Sequence, residues 1–256
     1  MEITTIMGLF LGIFAVIGGQ VLEGGHIGSI MQLTAAIIVF GGTFGATVLS
    51  FTLSDLKKGL KYFFSIFKAS GENPQDLLKI LTNFAGIARK NGILALQSKV
   101  ADIKNQFLKR ATTYAVDGYE PAVIQDILEK DIETMEEEMQ TAAKVFEAAG
   151  GFAPTVGILG AVLGLIHVME IMSDPSQIGS GIAVAFVATV YGVGAANLIL
   201  LPISSKIKRK AKVEVLIKEL IIKGVMSIQG GLNPRIVEDK LSAFLEESMR
   251  KIEEKK

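Results

Sequence analysis

The sequence predicts an all-α integral membrane protein with four transmembrane helices and a helical cytoplasmic domain. Half of the 256 residues are hydrophobic and only 20% are charged. The charges are segregated, because residues 1–52 and 152–202 contain no Lys or Arg. Their only carboxylates are Glu2, Glu23, Glu170 and Asp174. A bilayer imposes such segregation, since a charge inside hydrocarbon is costly.

Four apolar segments predict the membrane-spanning helices, one pair within 1–53 and one pair within 151–204. Each is long enough, since about 20 helical residues at a rise of ~1.5 Å cross the hydrocarbon layer. A cleaved signal peptide is disfavoured for the first segment, which lacks a basic start and is followed closely by the second. The segments are Ile3–Leu22, Gly28–Leu53, Gly151–Met172 and Gly179–Ile203.

The basic residues predict the orientation in the membrane. All 26 Lys and Arg residues lie in 54–150 and 205–256, and the short connections 23–27 and 173–178 have none. Positive residues stay on the cytoplasmic side. We therefore expect a cytoplasmic loop domain (54–150), a cytoplasmic C-terminal helical tail (205–256) and a cytoplasmic N-terminus.

Three helices are expected within the cytoplasmic loop. The first, over Ser54–Lys68, is amphipathic and suits either the membrane surface or a core-facing position. The second follows the turn Gly71–Pro74 and ends at Gly92, with Arg89 and Lys90 placed to cap its dipole. The third follows the break Asp117–Pro121 and runs toward the third span. The residues predicted to share one face of the first helix are Leu56, Leu60, Phe63, Phe64 and Phe67.

Small residues recur on the spans at the spacing that lets helix backbones approach closely. The pairs are Gly8 and Gly12, Gly41 and Gly45, and Gly160 and Gly164, and the fourth span continues with Ala185, Ala188, Gly192 and Ala196. We expect close helix packing, within the chain or between subunits.

The composition excludes several kinds of chemistry. Cysteine is absent, the two histidines are far apart and the net charge is zero, which leaves no basis for thiolate metal sites or nucleic-acid binding. Nucleotide-loop and hydrolase motifs are absent from the sequence, so an enzyme is not expected. No span has an ionisable group at its centre, and His167 lies toward an outer end. The spans offer hydroxyls at Thr155 and Thr189, and prolines at Pro154 and Pro202.

Three motifs resemble one family. The fourth span reads Ala185-Phe-Val-Ala-Thr189-Val-Tyr-Gly192-Val-Gly194 and reaches Pro202, and the third reads Pro154-x-x-Gly157-Ile-Leu-Gly160-Ala161-x-x-Gly164. The tail contains Gly224-Val-Met-Ser-Ile-Gln229-Gly-Gly-Leu-Asn233-Pro234-Arg235. Over essentially the whole chain this is similar to the MotA/PomA family of flagellar stator proteins, in the MotA/TolQ/ExbB proton-channel superfamily.

The resemblance implies a homo-oligomeric ring, a pentamer, in the bacterial inner membrane. The ring would surround a MotB/PomB-type single-span partner that supplies an intramembrane aspartate. Proton or sodium flow along the third and fourth spans would turn the rotor through its switch protein. No other cofactor is implied.

The resemblance also implies residue roles. Thr189, Thr155 and Ala161 would lie on the ion pathway, and Pro154 and Pro202 would take part in conformational change. Arg89 and Lys90 would contact the rotor, and Gln97 stands where the family usually has a rotor-contacting glutamate. Ala161, where sodium-driven members often have threonine, leans toward protons. Helix packing is expected at Gly157, Gly160, Gly164 and Gly192.

Two alternatives remain open on the residues alone. One is a TolQ/ExbB-type ion-driven energiser of outer-membrane transport, although such relatives usually have three spans and an outward N-terminus. The other is a non-conducting membrane scaffold, which the empty centres of the spans fit equally well.

Overall fold

The structure, a computed structural model, describes residues 2–68, 73–173 and 175–245, without the side chains of 175–177. Gly71 and Glu72 of the predicted turn, and Asp174 beyond the third span, lie outside the described residues. Within these ranges the chain is helical and has no β-strand. The fold class expected from the sequence is therefore confirmed. The helices are α1 (Ile3–Leu22), α2 (Leu33–Ala36), α3 (Gly42–Ser50), α4 (Leu53–Ser65), α5 (Pro74–Asn91), α6 (Gln97–Val100), α7 (Gln106–Val116), α8 (Pro121–Glu170), α9 (Pro175–Ala195), α10 (Leu201–Gln229) and α11 (Pro234–Ser242).

Four helical stretches are long and apolar enough to cross a membrane, as expected. The second begins later than Gly28, because Ile27–Ile30 form a 3₁₀ turn and the continuous helix starts at Leu33. Two spans contain a wider, π-helical turn. One is Ile37–Gly41, between α2 and α3, and the other is Ala196–Leu200, between α9 and α10.

The helices of the third and fourth spans continue far beyond the membrane segments. α8 unites the predicted amphipathic helix and the third span in one helix of 50 residues, with Pro154 inside it. Proline lacks the N–H that would bond to the carbonyl four residues earlier, yet the helix continues on both sides. α10 likewise extends the fourth span into the tail as far as Gln229.

The chain divides into two compact units. Unit 1 comprises Met1–Ala69 and Glu138–Arg209, and unit 2 comprises Ser70–Glu137 and Lys210–Lys256. Residues 54–65 of α4 and residues 138–150 of α8 belong to the unit that holds the spans. The division by sequence at 53 and 150 had assigned them to the loop domain.

In unit 1, α4 packs on α8 by one face and exposes another. Gly59 leaves room for Val145, since a β-carbon on it would lie 3.5 Å from the Val145 side chain. The Phe63 ring stacks on Phe146 at 6.0 Å, and Ile66 is fully buried. The face predicted from the sequence is therefore split: Phe63 turns inward, whereas Leu60 and Phe64 are exposed.

Unit 2 is held together by an apolar core. Its fully buried members come from α5, α7, α8, α10 and α11, and include Leu81, Leu108, Leu128, Leu220 and Leu241. Gly224 is needed for this packing, because a β-carbon there would lie 2.6 Å from the Leu81 side chain. α5 ends at Gly92, which adopts φ +81° and donates its N–H to the Ala88 carbonyl at 2.9 Å. This is the glycine-capped end predicted from the sequence.

Candidate functional site

The third and fourth spans meet along a seam of small residues. A β-carbon on Gly192 would lie 2.5 Å from the Ala153 carbonyl oxygen, and one on Gly157 would lie 2.9 Å from the Ala188 carbonyl oxygen. Toward the other end of the seam, a β-carbon on Gly164 would lie 2.9 Å from the Ala185 backbone nitrogen. Backbone therefore packs on backbone, and no side chain fits between α8 and α9 here.

The second span joins this seam from the side. Gly160 approaches both Ala188 and Ile38, with a β-carbon placed 2.8 Å and 3.3 Å from their side chains. Ala35 and Val39 are completely buried against the same part of α9. The four glycines expected to serve packing, Gly157, Gly160, Gly164 and Gly192, thus all lie at close helix contacts within the chain.

The other glycine pairs behave differently. A β-carbon on Gly8, Gly41 or Gly45 would meet nothing within 4 Å, and one on Gly12 would make an ordinary contact with Leu198 at 3.5 Å. The spacing is the same in all three pairs. Among the described residues, nothing lies close to Gly8 in α1, Gly41 in the π-helical turn or Gly45 in α3.

Thr189 lies beside the seam and is half-buried. Its hydroxyl donates to the Ala185 carbonyl oxygen, one turn earlier, at 3.3 Å. Most O–H···O bonds are shorter, about 2.5–3.0 Å, so this bond holds the hydroxyl weakly. The oxygen keeps its acceptor capacity for a second partner.

Thr155 and Ala161 lie away from the contact line. The Thr155 hydroxyl donates to the Phe152 carbonyl oxygen at 2.8 Å, and its side chain is exposed. It is two positions beyond Ala153 on the seam, and at about 100° per residue this puts it on the opposite side of α8. Ala161 is half-buried next to Gly160. The structure therefore places only Thr189 of these three residues beside the seam together with small residues of both spans.

The two prolines lie near the ends of the spans. Pro154 is half-buried next to Ala153 of the seam, whereas Pro202 is exposed just after the π-helical turn Ala196–Leu200. Such wide turns in membrane helices often accompany functional sites. Near Pro202, the wide turn and the missing proline N–H both interrupt the regular backbone hydrogen bonds of the fourth span.

Two contacts in unit 1 were not anticipated from the sequence. The Tyr191 hydroxyl donates to the Ile30 carbonyl oxygen at 2.6 Å and accepts from the Gln32 N–H at 3.2 Å, which ties the fourth span to the start of the second. Glu2 forms an ion pair with Lys206, and both side chains are less than a third exposed. Tyr191 lies inside the quoted motif, whereas nothing in the sequence pairs Glu2 with a residue 204 positions away.

The basic candidates lie in unit 2. Arg89 and Lys90 occupy the last turn of α5, before the glycine cap, and are exposed. Among the described residues neither forms an ion pair. Gln97 is exposed at the first residue of α6. The two cations can therefore meet an acidic surface without first breaking an internal pair.

Ionisable groups are sparse around the seam. In the described parts of the spans, His167 and Glu170 lie 3.7 Å apart and exposed at the C-terminal end of α8. No group of three His, Cys, Asp or Glu residues that could hold a metal is found in the described part of the chain. Outside the spans, Tyr62 of α4 is half-buried, and burial raises the pKa of its hydroxyl.

Comparison with known proteins agrees with this arrangement. The pattern of the MotA/TolQ/ExbB proton channel family matches residues 99–220, and that of the motility protein A N-terminal region matches residues 6–92. Motility protein A of Bacillus subtilis is 35% identical over 96% of this chain and 91% of its own length. Chemotaxis protein PomA of Vibrio alginolyticus is 34% identical over 99% of both chains.

A solved structure agrees equally well. In the flagellar MotAB stator complex from Bacillus subtilis, one chain superposes with a TM-score of 0.91 at 34% identity, over 98% of each chain. The likeness in sequence and in structure covers both the spans and the helices outside them. The chain therefore belongs to the MotA/PomA family of flagellar stator proteins, within the MotA/TolQ/ExbB proton channel family.

Proposed function

We propose that this chain is the membrane-embedded stator subunit of a bacterial flagellar motor. With a MotB-type partner it forms an ion channel, and the passage of ions drives torque on the rotor. The family is one of channel subunits and not a known class of enzymes, and the chain acts by changing shape. The observation that carries the proposal is the tight seam between α8 and α9, with the half-buried hydroxyl of Thr189 beside it and no charge at the centre of any span.

The empty centre requires a second protein. An ion inside hydrocarbon needs a compensating group, and an unpaired charge there is very unfavourable. The MotB-type partner meets this need with an intramembrane aspartate on its single span. Thr189, with its spare acceptor capacity, is positioned to interact with that carboxylate or its ion. We further propose that the pathway extends beyond the seam to Thr155 and Ala161, which lie away from the line of contact between α8 and α9.

Subunits assemble as a ring, a pentamer, around the partner helices. α1 has no buried residue within the chain, and the open glycine faces of α1 and α3 allow another helix to approach. The ring lies in the inner membrane with both termini in the cytoplasm, an orientation supported by the distribution of Lys and Arg.

The transported ion is a proton or sodium, and no resident cofactor is needed. Ala161 has no hydroxyl to offer to a sodium ion, which prefers oxygen ligands. The proposal therefore favours protons.

Torque passes to the rotor switch protein through Arg89 and Lys90. Their exposure and lack of internal partners support an electrostatic contact, because exposed rim charges steer and orient partner surfaces. Gln97 cannot provide the acidic half of a charge pair. The contact in this protein is therefore predominantly basic on the stator side.

Pro154 and Pro202 give the two spans places to bend. The π-helical turn before Pro202 adds a second local relaxation in the fourth span. A change of ion occupancy at the partner's carboxylate is transmitted along α8 and α10, which continue as unbroken helices into the cytoplasmic part.

Motility separates this proposal from its two alternatives. In a strain that lacks both this gene and the gene of its partner, the two genes together should restore swimming. Neither gene alone should restore it. An energiser of outer-membrane transport would instead affect uptake of large nutrients without changing swimming. A non-conducting scaffold would co-purify with partners yet give no ion flux.

A further inference from the structure

An apolar groove opens in unit 1 beside the amphipathic helix α4. Its volume is about 590 Å³, within the ~300–1,000 Å³ of small-molecule sites. Every side chain that lines it is apolar except Thr43, Thr47 and Lys57. The apolar lining includes Phe44, Leu56, Leu60, Phe146 and Leu200.

Among the described residues, Lys57 is the single charge that lines this groove. It is exposed and forms no ion pair with any described residue, whereas its neighbour Lys61 lies 3.6 Å from Glu138. It shares one face of α4 with three exposed apolar side chains, at spacings of four, three and four residues. These side chains are Leu53, Leu60 and Phe64, which are 69%, 59% and 59% exposed. An ammonium in the middle of an apolar stripe is typical of a lysine at the boundary between hydrocarbon and headgroups.

The two threonines of the groove differ in their hydrogen bonds. The Thr47 hydroxyl donates to the Thr43 carbonyl oxygen at 2.7 Å and is therefore satisfied. The Thr43 hydroxyl is buried, only 7% of the residue being exposed, and has no partner among the described residues. A buried hydroxyl without a partner is unfavourable. It favours an occupant that brings hydrogen-bond acceptors as well as hydrocarbon.

We propose that the groove binds an anionic phospholipid of the leaflet that the lysines of α4 face. One acyl chain lies against the apolar lining, and the phosphate pairs with the Lys57 ammonium. The ester oxygens between them supply acceptors of the kind that Thr43 lacks. The helix of another subunit would fill the hydrocarbon part of the groove but would leave Lys57 unpaired. The proposal depends on the membrane location of unit 1 and not on the torque function.

The absence of tryptophan from the chain allows a clean test. A Leu60→Trp variant puts one fluorophore at the groove, and a Phe14→Trp variant puts one on the exposed face of α1, where it samples bulk lipid. The full-length chain is reconstituted into vesicles whose acyl chains are brominated, either on phosphatidylglycerol or on phosphatidylcholine. Bromine quenches tryptophan on contact, so quenching reports which lipid occupies each position.

We expect the Leu60→Trp reporter to prefer brominated phosphatidylglycerol about fivefold over phosphatidylcholine, which corresponds to about 1 kcal/mol for one lysine near the surface. The Phe14→Trp reporter should show no preference. Adding Lys57→Gln should remove the preference, whereas Lys212→Gln, which removes an exposed lysine of unit 2, should leave it. Equal quenching by both lipids, or a preference that survives Lys57→Gln, would overturn the proposal. If neither brominated lipid quenches the Leu60→Trp fluorescence, the proposal is overturned as well. That result would identify the groove as a contact between copies of the chain.

Discussion

The hydroxyl of Thr189 donates to the carbonyl oxygen of Ala185 in its own helix, at 3.3 Å. The bond spans one turn, and Ala185 itself packs its backbone against Gly164 of the neighbouring span. The Thr189 hydroxyl, which lies beside the seam, is therefore hydrogen-bonded to the backbone that forms the seam. A change in the partner of this hydroxyl acts directly on the packing of α8 and α9.

The Thr189→Ala substitution should impair ion-dependent torque more than assembly. It removes one hydrogen-bonding group, worth about 1 kcal/mol in membrane helices, and leaves the small-residue seam intact. The measurement is swimming speed against ion gradient, together with the amount of complex in the membrane. Thr189→Ser keeps the hydroxyl and should restore most of the torque. Full motility of the alanine variant, with unchanged ion dependence, would contradict this. The Thr189 hydroxyl would then serve only to bond to the carbonyl of its own helix.

A Gly192→Ala substitution should lower the stability of the protein, although alanine is the better helix former. The added methyl group would lie 2.5 Å from the Ala153 carbonyl oxygen, and such overpacking costs about 1–3 kcal/mol. Gly194→Ala, in the same helix, is the matched control, because its added methyl group meets nothing within 4 Å and should be neutral or stabilising. Thermal unfolding in detergent compares the two variants. Equal midpoints would show that the seam opens easily to admit a methyl group.

The ion pair of Glu2 with Lys206 should contribute measurably to stability. Both side chains are less than a third exposed, so solvent screens them less than it screens a surface pair. A double-mutant cycle of Glu2→Gln and Lys206→Met should give a coupling energy of about 1 kcal/mol. The cycle would be measured by chemical unfolding of the reconstituted chain. Strict additivity of the two single variants would assign no net interaction to the pair.

Reversal of the two basic residues tests the rotor contact. Arg89→Glu combined with Lys90→Glu should abolish swimming while the protein remains at normal abundance in the membrane. If the cations only cap α5, reversal costs about 0.3–1 kcal/mol of local stability per charge and swimming persists. A basic substitution on the acidic rotor surface should partly rescue the variant, because opposite charges would face each other again. Normal swimming at normal protein abundance would exclude the rotor contact and leave the two residues with only the role of capping α5.

The spans and the small-residue faces of the helices could be predicted from the sequence because both depend on local composition. A run of apolar residues must cross the bilayer as a helix, and Gly160 and Gly164 in one span match Ala185 and Ala188 in the next. The same spacing at Gly41 and Gly45 led to no contact within the chain. The spacing shows which face of a helix carries small residues, but which helix packs against that face depends on tertiary structure.

Other features could not be predicted, for physical reasons. The pairing of Glu2 with Lys206 joins residues 204 positions apart, and no periodicity carries that information. The apolar side chains of α4 lie on two different surfaces of the helix, since Phe63 stacks on Phe146 whereas Leu60 is exposed. Both side chains are apolar, and only the position of α8 distinguishes them.

The most direct test of the central claim is a measurement of ion flux through vesicles. The claim is that the spans provide a scaffold for the ion path and that the charge on this path comes from the partner. The chain alone, the chain with its MotB-type partner, and the chain with a partner in which the intramembrane aspartate is changed to asparagine would be reconstituted at equal density. Flux of protons or sodium should appear only with the unchanged partner. Robust flux through vesicles that contain the chain alone would contradict the account.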